Sequence, residues 1–219
     1  MIKNIIFDFD GVIVDSEVLA SKAFAKYFIE KGYNVNEIDF YQYAGMKTVQ
    51  VIDEVVKKYD VKDKNKFKDE IFDIALDYYE NDLELIAGIK KFLERSKCSH
   101  FIGSNRNKDS IIDGLERVNL SEFFKTDKIY SFDMVKNPKP APDIYLKAVE
   151  ENNLINKETV IIEDSLVGVT AALAAGIKVV GITAGSHWHS SRNVNELLVN
   201  SDVMITNNYN NLDQILEDF

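Results

Sequence analysis

The sequence predicts an α/β protein: a three-layer sandwich around a mostly parallel sheet, with an all-helical subdomain inserted after the first strand. Three observations carry that prediction. Short apolar runs of strand length recur along the chain, each followed by a polar or glycine-bearing turn. Helix-period segments separate most of them, and alternation of the two kinds implies parallel strands covered on both faces. One long stretch, from about residue 16 to 81, breaks the alternation with helical patterns alone.

The strand runs fall at residues 5–9, 100–104, 128–132, 160–163, 179–183 and 203–206. Ile89, Phe92 and Leu93 share one helical face, Ile111, Ile112 and Leu115 another, and Ile144, Tyr145, Ala148 and Val149 a third. Right-handed crossovers gather ligands at the carboxyl ends of such strands. Within the insertion the expected stripes are Ala20, Phe24, Tyr27 and Phe28, then Val49, Ile52, Val56 and Tyr59, then Phe67, Ile71, Ile74 and Tyr78. They read as packing faces. Gly32 is expected to end the first helix and Gly45 to mark a break. The polar segment TNNYNN at 206–211 reads as a turn.

Bulk properties bound the function. The 219 residues are 46% hydrophobic, enough for a sizeable core in one domain with an insertion or in two modest domains. A net charge of −10 disfavours nucleic acid and anionic lipid as partners. Cys98 is the single cysteine, so an internal disulfide is excluded, and it reads as a small buried hydrophobe near a strand start. No apolar run approaches the roughly 20 residues that span a bilayer, and acids interrupt the N-terminal run. A cytoplasmic protein, monomeric or weakly dimeric, is the expectation.

The first strand run carries the chemistry. In IIFDFDGVIVDS, residues 5–16, Asp8 and Asp10 stand at i and i+2 of an extended segment, so both can face one site as the strand ends. Gly11 then allows a turn or a close backbone approach. Solvated turn acids are the alternative for this pair alone. A second pair, Glu163 and Asp164, follows another buried run and precedes a helix beginning at Ser165. Gly168 inside that helix costs about 1 kcal/mol against alanine, which points to close packing. Two carboxylates about 4 Å apart repel by about 4 kcal/mol at an effective dielectric near 20. Several converging acids therefore call for a cation, and oxygen-only donors favour Mg²⁺ over Ca²⁺ or Zn²⁺.

Other strand ends supply complementary groups. FIGSNRNKDS puts Ser104 and Asn105 at the tip of the second run, where Ser104 taken alone reads as a helix cap. KNPKPAPDIY holds all three prolines, and Pro138, Pro140 and Pro142 stiffen the backbone on both sides of Lys139. Lys139 is thus a candidate anion contact, with Lys136 a weaker one. His187 and His189 of GSHWHSSR read as a surface loop near the site entrance rather than as a metal pair.

Together these segments resemble the haloacid dehalogenase superfamily, in its phosphatase branch with a helical cap. D-x-D-G-V-x-x-D-S at Asp8 to Ser16, Ser104, K-P-x-P-D at Lys139 to Asp143 and E-D-S-x-x-G at Glu163 to Gly168 match its four motifs in order. Within it the chain is similar to the beta-phosphoglucomutase-like and sugar-phosphate phosphatase group. The resemblance implies a Rossmann-like catalytic core at 1–15 and 82–219 and a cap at 16–81. It implies that Asp8 is the nucleophile, forming an aspartyl-phosphate, and that Asp10 is the general acid and base. Mg²⁺ is implied at Asp8, the Asp10 carbonyl and Asp164, with Glu163 behind them or as a further ligand. Ser104, Asn105 and Lys139 are expected to hold the phosphoryl group, and Lys47, Arg106 and Asn107 to reach the rest of the substrate. That substrate is expected to be a small phosphorylated metabolite, a sugar phosphate or sugar-acid phosphate. A phosphosugar mutase and a non-catalytic phosphometabolite-binding protein are the alternatives. A mutase of this type would carry a histidine near Ala20 and an arginine near Thr48, and this chain has neither there.

Overall fold

The computed structural model describes residues 1–43, 46, 48–188 and 192–219. The chain forms two compact units, Met1–Asp15 with Glu84–Phe219, and Ser16–Leu83. In the first, six parallel strands run in the order β3-β2-β1-β4-β5-β6. They are β1 (Asn4–Phe7), β2 (Ser99–Ser104), β3 (Ile129–Ser131), β4 (Thr159–Glu163), β5 (Lys178–Ile182) and β6 (Val203–Thr206). All six coincide with apolar runs of the sequence, because a strand covered on both faces must be apolar throughout.

β1 sits at the centre, between β2 and β4. Strand order reverses there, which is where open α/β sheets bind ligands. Register fixes the neighbours: Phe7 pairs with Ile102 on one side and Ile162 on the other. The residues just beyond, Asp8 and Glu163, therefore emerge side by side. β1 ends two residues earlier than expected. Gly11, at φ +72°, donates its N–H to Val14 O at 2.8 Å, and the N–H groups of Ile13 and Val14 both turn back to Phe9 O. Asp10 thus lies in a turn rather than on a strand.

Helices α4 (Ile89–Arg95), α5 (Lys108–Arg117), α6 (Asp143–Asn152), α7 (Leu166–Ala174) and α8 (Leu212–Glu217) belong to the same unit. One core cluster joins Ile6, Phe101, Tyr130, Ile144, Tyr145 and Ile161 with the small residues of α7. The segment at 206–211 is more than a polar turn. Asn208 caps the N–H groups of Asn210 and Asn211, while Tyr209 is fully buried and its hydroxyl donates to Val12 O at 2.7 Å. Cys98 is half-buried just before β2, and burial pushes its thiol pKa up, which suits a packing role.

The second unit holds α1 (Glu17–Glu30), α2 (Thr48–Lys58) and α3 (Lys64–Asp82), with a 3₁₀ segment at Glu37–Tyr43. Asp63 caps α3 by accepting the Lys66 N–H at 3.0 Å. The core is aromatic: Phe24 stacks on Phe40 at 5.5 Å, Tyr27 meets Phe67 edge-on at 4.8 Å, and Phe28 tilts against Tyr59 at 4.2 Å. Two expected stripes shift. α1 turns Ala20 outward and buries Leu19, while α2 buries Val51, Ile52 and Val55 with Val49 exposed. Apolar residues exceed the buried face of each helix, so local period alone leaves the rotation open. Gly45 lies outside the described residues. Among the described residues no helix is long and apolar enough to cross a membrane.

Candidate active site

Four segments converge beyond the carboxyl ends of β1, β2, β3 and β4. The Lys139 ammonium, 4% exposed, donates to Asp8 Oδ1 at 2.9 Å and to Glu163 Oε1 at 2.6 Å. Burial alone would lower its pKa, but attraction to Asp8 and Glu163 reverses the balance and raises it. Its mount is explicit. Lys139 N–H donates to Asn105 Oδ1 at 2.9 Å while Asn105 Nδ2 donates to Lys139 O at 3.1 Å, so one amide side chain clamps the lysine backbone from both ends.

Glu163 is 0% exposed and saturated with donors. Oε1 accepts from Lys139 and from the Tyr145 hydroxyl at 3.0 Å. Oε2 accepts from Asp164 N at 3.0 Å, Ser165 N at 3.1 Å and Ser165 Oγ at 3.0 Å. Ser165 also caps α7 through Gly168 N at 3.1 Å. A Cβ on Gly168 would stand 1.6 Å from Glu163 Oε1. That glycine is therefore needed to admit the carboxylate, which explains a helix-interior residue of poor propensity.

Asp8, Glu163 and Asp164 place one carboxylate oxygen each within 4.8 Å of one another, all three buried. Burial first, with Lys139 pulling down and the neighbouring acids pushing up, holds the Asp8 carboxyl well above its ordinary pKa. Burial and Glu163 do the same to Asp164. One lysine among three buried acids leaves negative charge to be compensated. The donors are hard oxygens, so the cluster fits a divalent cation such as Mg²⁺. Because Glu163 is committed to Lys139, Tyr145 and the start of α7, Asp8 and Asp164 are the carboxylates suited to ligate it.

The family model for haloacid dehalogenase-like hydrolases matches residues 5–182. The chain belongs to that family. It is 28% identical over 178 residues to a phosphorylated carbohydrates phosphatase of Thermotoga maritima, covering 80% of this chain and 82% of that protein. It is 26% identical over 189 residues to the 6-phosphogluconate phosphatase of Escherichia coli, covering 85% of each. A third relative, SUPPRESSOR OF QUENCHING 1 of Arabidopsis thaliana, is 32% identical over 83% of this chain, which spans only 18% of that much longer protein. Among solved structures, a haloacid dehalogenase-like protein of unknown function from Agrobacterium tumefaciens superposes with a TM-score of 0.89 at 28% identity. The match covers 100% of this chain and 99% of that one.

This hydrolase thus brings Asp8, Asp164, Glu163, Lys139 and Asn105 together, with Ser104 buried at the end of β2. Ser104 Oγ accepts Arg106 N–H at 3.2 Å, and the cap of α5 is Asn107, which accepts Ser110 N–H at 2.8 Å. Asp10 is engaged by Arg106: Nε approaches its two oxygens at 3.1 and 3.0 Å, and Nη2 approaches Oδ1 at 2.6 Å. Lys136 is exposed. Lys47 and His189 lie outside the described residues. The expectation for His187 is overturned. It is no surface-loop residue but is 2% exposed, with Nε2 3.0 Å from Asp164 Oδ2. Nothing in the local pattern of GSHWHSSR separates a buried histidine from an exposed one.

Proposed function

We propose that this hydrolase is a Mg²⁺-dependent phosphatase that releases phosphate from a small phosphorylated carbohydrate, a sugar phosphate or sugar-acid phosphate. The observation that carries the reading is the buried Lys139 bridge between Asp8 and Glu163, with Asp164 alongside. It joins a candidate nucleophile, a fixed cation and a carboxylate cluster at one sheet edge. The two carbohydrate-phosphate relatives supply the substrate class.

In this reading an Asp8 carboxylate oxygen attacks phosphorus in line, and the bond from phosphorus to the sugar oxygen breaks. Asp10 gives that oxygen a proton. Water then attacks the aspartyl-phosphate, Asp10 takes a proton from it, and inorganic phosphate leaves with Asp8 restored. Asp10 must first exchange Arg106 for substrate, since a carboxylate accepting guanidinium N–H groups has no proton to give. Arg106, once exchanged, is the candidate contact to the leaving group. Lys139 and Ser104 hold phosphoryl oxygens; Asn105 serves by keeping Lys139 in place. Asp8, the Asp10 carbonyl and Asp164 would hold Mg²⁺, which supplies charge neutralisation at the phosphoryl oxygens. Residues 16–83 are assigned to substrate choice, with Lys47 a candidate contact to the remote part of the substrate.

Phosphate release across a panel of sugar and sugar-acid phosphates, with Mg²⁺ or with EDTA, tests the proposal. Release that EDTA abolishes is expected. Interconversion of sugar 1- and 6-phosphates without release would replace it with a mutase, and binding without turnover would reject catalysis altogether.

A further inference from the structure

His187 is buried against the same cluster without belonging to any of the motifs that define it. Its ring occupies a slot kept open by two backbone positions that lack a side chain. A Cβ on Gly11 would lie 3.0 Å from His187 Cε1, and one on Gly185 would lie 2.7 Å from Cε1 and 2.8 Å from Nδ1. The turn carrying the ring is closed by Trp188 N–H donating to Gly185 O at 2.9 Å. It is also tied to the opening motif: Ser186 N–H reaches the Asp15 carboxylate at 3.1 and 3.3 Å, and Ser186 Oγ donates to the same group. Asp15 ends the D-x-D-G-V-x-x-D stretch, so the segment after β5 is fastened to the loop after β1, and the fastening aims one imidazole nitrogen at Asp164.

From this arrangement we infer that His187 is a positioning residue for the metal site: its Nε2–H holds Asp164 Oδ2 and so orients that carboxylate toward the cation. The inference rests on the metal-dependent reading above. Its logic is that of an outer hydrogen bond to a ligating carboxylate. Such a bond fixes the ligand's rotation before the ion arrives, and its loss typically weakens metal binding by about 10–100-fold. The direction follows from geometry. A metal-ligating carboxylate is ionised and can only accept, so the ring nitrogen 3.0 Å from Oδ2 presents its proton, and the oxygen it holds is then set while the other stays available.

The test is Mn²⁺ binding to the substrate-free full chain, followed by the electron paramagnetic resonance signal of the free ion, together with the Mg²⁺ dependence of turnover. His187→Leu is expected to weaken Mn²⁺ binding by about 10–100-fold and to shift half-activation by Mg²⁺ to correspondingly higher concentration, with added Mg²⁺ recovering turnover. His187→Gln, whose amide N–H reaches the position of Nε2, is expected to stay near wild type in both. Gly185→Ala, which crowds the ring without removing it, moves in the direction of His187→Leu and serves where that variant fails to fold. Asp164→Asn is the control. If it loses Mn²⁺ while His187→Leu and Gly185→Ala bind as wild type does, the inference is overturned and the site reading stands. If Asp164→Asn retains Mn²⁺, the site reading falls and takes the inference with it.

Discussion

The two units of this chain solve the packing problem with opposite materials. Residues 16–83 bury Phe24, Tyr27, Phe28, Phe40, Tyr43 and Phe67 against aliphatic neighbours, and among their described residues no charged side chain is buried. The sheet unit encloses Asp8, Lys139, Glu163, Asp164 and His187 at one edge. A core of rings gains stability from each group it hides. A cluster of acids loses it, since burial drives Asp8 and Asp164 toward the neutral form. The contrast separates residues kept for stability from residues kept at its expense.

Asp8→Asn sharpens the contrast most. Turnover should fall by about 10⁴-fold or more, as when other nucleophiles are removed, while the melting temperature holds or rises because a costly buried charge is gone. Activity near wild type would remove Asp8 from its proposed role. Phe67→Ala is the mirror image. Deleting this fully buried ring should cost about 3–5 kcal/mol in urea unfolding, with Mn²⁺ binding by the folded protein unaltered. A lost Mn²⁺ site would break the comparison.

Gly168→Ala should cost about 1–3 kcal/mol or more by overpacking, and in contrast to Phe67→Ala it should also weaken Mn²⁺ binding, because the displaced group is Glu163. An alanine variant as stable and as tight as wild type would show that Glu163 has room to move.

The smallest effect concerns pH. Burial, with Lys128 nearby, lowers the His100 pKa from 6.5 to about 4, so the folded ring is neutral where the unfolded ring takes a proton. The unfolded chain binds more protons in that window, and this residue's contribution to stability is lost as pH falls from about 6.5 toward 4. Asp8 and Asp164, with raised pKa values, oppose it by favouring the folded state on acidification. Urea midpoints from pH 7 to 4 should show His100→Gln losing less stability on acidification than wild type; identical slopes would refute the assignment.

Much of this was readable in advance, for a local reason. Strand runs, the glycine at position 11, the paired acids and the prolines around Lys139 are properties of short segments, and short segments obey period and propensity. What short segments leave out involves partners distant in sequence. Tyr209 looked like part of a polar turn because Val12, which accepts its hydroxyl, is remote along the chain. The reciprocal clamp of Asn105 on Lys139 depends on β2 lying beside β3, the strand that precedes Lys139. The pairing of Arg106 with Asp10 joins residues 96 positions apart.

From its order of residues alone, the chain determines which segments become strands, where carboxylates and a lysine stand on them, and that a helical block interrupts the series. Only the folded sheet decides that Phe7 lies level with Ile162, and hence that Asp8 neighbours Glu163 and Asp164 within reach of Lys139. Backbone period is a property of neighbours in sequence, whereas register, burial and charge pairing arise from segments brought together by a core.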